Sequence, residues 1–365
     1  MRTARRAALA AALALAALAV GAGPASADGK DAVYTSTNSA SGNQVLAFDR
    51  TGRGSLSPDG SFATGGTGTG SGLGSQGALA LTRDGRFLYV VNAGSDSISA
   101  FSVRRHGLRR IGTTPSGGDQ PISLTVRRDL LYVLNAGSGT ISGFSRAHDG
   151  GLTALAGSTE PIGGSGPAQV EFSNDGLTLV VTNKDTNTID TFTVGPDGTP
   201  GPAQSQPSEG DTPFGFDFDK RGHLIVSEAF GGAAGASAVS SYSLDSSGLL
   251  STISGSVPDN EAAACWISIT KNGRFAYTTN TGSGSISSYS IGHDGSLGLL
   301  EQIAAATGTG SAPTDMAQTS SSRALFALLP GTGDVAAYRV SGDGGLTPVD
   351  QVGGVPASAT GLAAR

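Results

Sequence analysis

A chain of 365 residues that carries 57 glycines, one cysteine and only 14% charged side chains has the composition of neither a helical bundle nor a disulfide scaffold. Short strands joined by many turns suit its Gly, Ser and Thr content better. The formal net charge of −6 repels phosphate backbones and anionic lipid, so neither nucleic acid nor a membrane surface is an expected partner.

The first 27 residues read as an export signal. Arg2, Arg5 and Arg6 form a basic start, Ala7 to Val20 is uncharged and Ala/Leu-rich, and Ala25-Ser26-Ala27 has the small-x-small pattern of a cleavage site. The apolar run is shorter than the roughly 20 residues of a membrane-spanning helix, so membrane insertion is not expected. Removing those three arginines from 23 basic side chains leaves 20 against 29 acidic ones. Residues 28–365 are expected to form one secreted, monomeric domain. With Cys265 as the lone cysteine, no intramolecular disulfide contributes to its stability.

In chain order, an apolar tetrad ending in an aromatic recurs seven times. The copies are Val45-Leu46-Ala47-Phe48, Ile98-Ser99-Ala100-Phe101, Ile141-Ser142-Gly143-Phe144, Ile189-Asp190-Thr191-Phe192, Val239-Ser240-Ser241-Tyr242, Ile286-Ser287-Ser288-Tyr289 and Val335-Ala336-Ala337-Tyr338. Their first residues are 53, 43, 48, 50, 47 and 49 positions apart, a period that marks a repeat architecture. Each copy has a first apolar strand, an Asp-Gly or Asn-Gly turn, and a second strand such as Tyr89–Asn92, Tyr132–Asn135 or Tyr277–Asn280. The tetrad strand comes third, and a further turn leads to a fourth. Asp-Gly and Asn-Gly turns between apolar runs are strong hairpin signals because they need positive φ. Four antiparallel strands per repeat predict an all-β, seven-bladed β-propeller.

The two ends predict how the ring closes. The N-terminus enters at a second strand, Val33-Tyr34, and Pro356 to Leu362 supplies the missing first strand. One blade is then built from both ends, which removes two open sheet edges. Gly-rich joins such as Gly65 to Gly77 fall between blades in register and are expected to be surface loops.

YVVN, YVLN and YTTN after DGR-type turns resemble the lactonase-family seven-bladed propellers. That group includes bacterial 6-phosphogluconolactonase and fungal carboxymuconate lactonising enzymes and overlaps with YVTN-repeat surface proteins. The resemblance implies a small lactone substrate and a cluster of His, Arg and Glu on one end of the ring. The blade-five Arg-His is replaced here by Phe214-Gly215, while the carboxylate is kept at Glu228. The blade-four His position falls in Pro167-Ala168-Gln169, and the blade-six Asn-Arg-Gly reads Asn280-Thr281-Gly282.

Meander connectivity places the loops joining strands two to three and four to one on one face, termed upper here, and the other turns on the lower face. His106, His148, His223 and His293 all fall on the lower face. No two histidines have metal-ligand spacing, so neither metal nor cofactor is expected. The upper face is expected to gather Asn92, Asn135, Asn183 and Asn280 after second strands, with Gln169 and Asp315 at entries to first strands. Each asparagine either orients a ligand or caps its following turn. Glu228 fills the same slot before a loop about five residues longer than its counterparts, either as a partly desolvated general base or as an exposed acid. Trp266 either stacks on a sugar at the rim or fills space between blades. Cys265 has no neighbouring base to activate it, and Lys184-Asp185 reads as a solvated pair.

Two functions follow as expectations. One is a lactone hydrolase or cycloisomerase-like enzyme using Glu228, with Asn and Gln side chains orienting the carbonyl. The other is a non-enzymatic binding or scaffold propeller for a sugar, glycan, small metabolite or protein.

Overall fold

The computed structural model describes residues 31–51 and 54–365; the expected export segment lies outside them. Seven sheets form, six of four strands and one of five. The inner strand of blade one is Thr360–Ala364, and those of blades two to seven are Leu79–Leu81, Pro121–Arg127, Pro167–Phe172, Pro213–Phe218, Ala264–Ile269 and Met316–Gln318. Each packs against the inner strand of the next blade, and blade seven packs against blade one. The ring is a closed seven-bladed propeller.

Closure occurs as the sequence predicts, with the strand at Thr360–Ala364 beginning four residues later and ending two later than expected. Thr360–Ala364 pairs antiparallel with Ala32–Ser36, placing Val33 opposite Ala364 and Tyr34 opposite Ala363. Thr35 Oγ1 donates to the Gly361 carbonyl at 2.7 Å, and Ser358 Oγ to the Thr37 carbonyl at 2.7 Å. The preceding residues turn instead of pairing, with the Ala359 N–H bonded to the Pro356 carbonyl.

The repeated motif residues join blades. The tyrosine of each YxxN strand is buried and reaches the glycine of the next blade's lower turn. Tyr89 Oη donates to Gly150 O at 2.9 Å, Tyr132 Oη to Gly198 O at 2.6 Å, and Tyr277 Oη to Gly344 O at 2.8 Å. Those turns also need glycine for space: a Cβ at Gly150, where φ is +91°, would lie 2.4 Å from the Phe87 ring. The tetrad aromatics fill the spaces between sheets; Phe101, Phe144, Phe192 and Tyr289 are all buried. The five-stranded exception is blade three, whose outer position is shared by Leu152–Ala154 and Glu160–Pro161. Between them the Ser158 hydroxyl takes over the ladder, accepting from the Gly143 N–H at 2.9 Å and donating to its carbonyl at 3.1 Å.

Deleting residues 360–365 bares the edge of Ala32–Ser36 and removes the buried Leu362 and Ala363 side chains. We expect a loss of at least about 3 kcal/mol and concentration-dependent association, read by thermal melts and light scattering.

Candidate functional site

A propeller axis is where seven inner strands each present an unpaired backbone edge, and such edges need hydrogen-bond partners. Here side chains of neighbouring blades supply them. Ser123 Oγ accepts the Val170 N–H at 3.1 Å, and Asp217 Oδ2 accepts the Ile269 N–H at 3.0 Å. Gln169 pairs with Phe216 as a peptide unit would, accepting its N–H at 2.8 Å and donating to its carbonyl at 2.9 Å. Asp315 Oδ2 accepts the N–H of Gly361 in the closing strand at 3.0 Å.

A cavity of about 240 Å³ lies among inner-strand residues, with Gln76, Gln169, Glu171, Thr125 and Asp315 as its polar lining. Burial, reinforced by the charge of Asp217, pushes the Glu171 carboxyl well above its usual range; Lys271 and Gln169 oppose the shift. Asp217 is raised by burial against the pull of Lys271. Burial pushes Asp315 up to about 7, although the N–H groups of Gly361 and Gly77 favour its charged form. Burial thus favours the protonated form of all three acids, and Asp315 can exchange a proton with a small polar ligand near neutral pH. Among the described residues no group of three or more His, Cys, Asp or Glu is placed to hold a metal ion, and no helix is long and apolar enough to cross a membrane.

The upper mouth is filled by the chain itself. The Gly-rich join between blades one and two, expected on the surface, turns inward over the axis. The Gln76 N–H donates to Ala168 O at 3.1 Å, and Ser75 Oγ to Ile122 O at 2.8 Å. Gln76 then spans to the far blades: its Nε2 donates to Phe216 O at 3.2 Å and Ile267 O at 3.0 Å, and its Oε1 accepts the Ile267 N–H at 3.0 Å. Trp266 is buried, with its indole N–H on Ser75 O at 3.0 Å and its ring 4.8 Å from that of Phe214. Its role is therefore to pack and anchor this loop, not to stack on a ligand at the rim. Lys184 is not a simple solvated partner of Asp185. Its ammonium donates to Gly74 O at 2.7 Å and lies 4.9 Å from the centre of the Phe214 ring, and desolvation lowers its pKa.

Glu228 is fully buried between strands two and three of blade five, away from the axial cavity. Its Oε1 accepts the Gly210 N–H at 2.9 Å and the Ser240 hydroxyl, and Oε2 accepts the Ser256 hydroxyl at 2.6 Å. Burial raises its pKa despite these three donors. The asparagines at the matching slots do the same structural work with opposite polarity. Asn92 Nδ2 donates to Ser99 Oγ at 2.8 Å, Asn280 to Ser287 at 2.7 Å, Asn135 to Ser142 at 3.3 Å and Asn183 to Asp190 Oδ2 at 2.8 Å. All four are buried and bond across to strand three instead of capping the next turn. Of the residues expected to face a ligand, only Gln169 and Asp315 reach the cavity. Gln76, Glu171 and Asp217 were not anticipated. For Glu171 and Asp217 the signal is a polar residue on the alternate face of an otherwise apolar inner strand, as in Ser123 and Thr125 or Gln169 and Glu171; Gln76, in the Gly-rich join, carries no such signal.

The four histidines do fall on the lower face. His106, His148 and His293 are exposed, and His223 Nδ1 lies 3.0 Å from Asp219 Oδ2. Burial pushes the Cys265 thiol up to about 12, so it is no nucleophile at neutral pH.

Asp315 gives the fold a pH dependence of defined sign. Folded, it holds its proton to about 7, whereas an unfolded aspartate releases it near about 4. The folded state binds the extra proton between those values, so stability falls as pH rises from about 4 through 7 and then levels off. Glu171 and Asp217 act in the same direction. We expect Tm to drop by on the order of 5 °C between pH 5 and pH 8, and Asp315→Asn to flatten much of that slope in calorimetry.

The comparisons with known proteins agree with this architecture. The family model described as "Lactonase, 7-bladed beta-propeller" matches residues 26–163, 153–229 and 227–358. A protein from Lactobacillus plantarum superposes with a TM-score of 0.73 at 20% identity, over 92% of this chain and 99% of its own. A candidate 6-phosphogluconolactonase from Bacteroides uniformis gives 0.72 at 20% identity, over 91% and 99%. The periplasmic gluconolactonase of Pseudomonas aeruginosa gives 0.70 at 17% identity, over 91% and 98%. No curated protein matches the sequence. With the family model covering nearly all the described ring, this chain belongs to the lactonase family of seven-bladed β-propellers.

Proposed function

We propose that this chain is an exported lactonase-family propeller that does not hydrolyse lactones and instead works as a binding module for a glycan, small metabolite or protein. One observation carries the reading. Where the resemblance implies Arg and His in blade five, the chain has Phe214-Gly215, and the space above Gly215 holds Gln76. A Cβ on Gly215 would lie 2.2 Å from Gln76 Oε1 and 2.5 Å from Cys265 O. Larger side chains at that position and the inward loop exclude one another. The retained carboxylate, Glu228, is spent on blade-internal hydrogen bonds and has no path to a substrate carbonyl. Export is supported by the basic start, apolar run and Ala-Ser-Ala site of residues 1–27.

A second reading has its own support. Asp315, pushed up to about 7, lines the axial cavity and has the pKa of a general base. In that reading the inward loop opens to admit a small lactone.

A panel of γ- and δ-lactones, gluconolactone included, separates the two when hydrolysis is followed by acid release in a pH-stat. We expect rates at the uncatalysed background for the wild type, Asp315→Asn and Glu228→Gln alike. Turnover abolished by Asp315→Asn would establish the second reading, and turnover abolished by Glu228→Gln would restore that residue as the base.

Gly215→Ala should destabilise the protein by about 1–3 kcal/mol, because Gln76 or the Cys265 backbone must move. Thermal melts read this, and a loss below about 0.5 kcal/mol would show that Gln76 does not occupy this space.

A further inference from the structure

The lower face carries a concentration of positive charge that the net charge of the chain conceals. Blades two and three contribute Arg83, Arg86, Arg127 and Arg128 from their first turns and Arg104, Arg105 and Arg146 from their second. The acids from those four turns are Asp84, Asp129 and Asp149. The Arg86 guanidinium reaches Asp84 only at 4.0 Å. Among the described residues, no carboxylate stands within ion-pair distance of Arg83, Arg105, Arg127 or Arg128. Desolvation lowers the pKa of Arg127, and repulsion from Arg128 and Arg83 outweighs the attraction of Asp175 on blade four. A cluster held at such electrostatic cost has unmet demand for counter-charge.

The surface beneath these arginines is concave and continuous. Depressions of about 460, 600 and 360 Å³ adjoin one another. The first and second share Gly85 and Arg365, and the second and third share Thr82, Arg83 and Asp84. Lys271 extends the basic lining toward the axis. We propose that this lower face binds an extended anionic polysaccharide, with successive acidic groups seated in the arginine-lined depressions. The guanidinium fork matches a carboxylate or sulfate bidentately, and three connected depressions fit a chain better than a single small ion. A sugar chain is favoured over nucleic acid because the depressions present no exposed Phe, Tyr or Trp for bases to stack on. Phe87, the only Phe, Tyr or Trp lining them, is buried, with Arg86 at 5.4 Å and Arg146 at 5.6 Å from its ring centre.

The proposal rests on the binding-module reading only in expecting a held partner; its test reads binding, so lactone turnover would overturn that reading and leave this one standing. Polygalacturonate is titrated calorimetrically into the wild-type protein at 50 and 200 mM NaCl, with dextran as the neutral polymer. We expect saturable binding of polygalacturonate alone, weakened at least tenfold by the higher salt, as for other multi-contact anionic chains. The double variant Arg83→Glu/Arg105→Glu, with both sites exposed, should keep its Tm and lose at least another tenfold in affinity. No saturable binding at 50 mM NaCl, or equal affinity of the double variant, overturns the proposal. Duplex DNA or phosphatidylglycerol vesicles competing at equal or lower charge concentration would overturn the assignment to a glycan.

Discussion

The whole ring depends on how the inner edges of its sheets are satisfied. A blade's first strand pairs on one side only, and its other edge faces the axis, where main-chain groups lacking partners would each cost on the order of 1–3 kcal/mol. The chain meets this with polar side chains that stand in for the missing strand. Ser123, Gln169, Asp217 and Asp315 each accept a backbone N–H of a neighbouring inner strand. The polar residues of the axis are therefore structural before they are anything else. Those carboxylates also carry the raised pKa values, because a group that replaces a strand must be buried with it.

The same constraint explains what was and was not legible in the sequence. The seven tetrads, their Asp-Gly turns and the returning strand are local patterns of period two and of loop chemistry, and all of them survive in the structure. The closing strand begins four residues later because Pro356 starts a turn, a boundary effect that periodicity does not resolve. Site residues fared differently. Asn92, Asn135, Asn183 and Asn280 lie at the correct end of their blades, but a strand position does not say which neighbour a side chain reaches. The i, i+7 partner on strand three decided it. In blade five the longer loop shifts that partner to Ser240, twelve residues on, and Glu228 uses it as Asn92 uses Ser99.

The inward loop was the largest departure. A segment reading GGTGTGSGLGSQG has the composition of a surface linker, and nothing local in it specifies a destination. Its place is fixed from outside by Trp266, Lys184, Ile122 and the bare backbone at Gly215, which lie 47 to 191 residues away from their contacts in the loop. The departure from the family pattern at Gly215 is also what makes room for it. At Gly215 the missing side chain and the presence of the loop are one structural fact.

Sharing the first sheet between the two ends of the chain also orders events in time. Thr35 and Gly361, 326 positions apart, cannot meet until almost the whole polypeptide exists, and contacts of such separation are late and slow to form. Until then Ala32–Ser36 has a neighbour on one side only and the circle is open. Blades two to seven are each built from consecutive strands, so the seam between the two ends is the one sheet that must wait for the last strand.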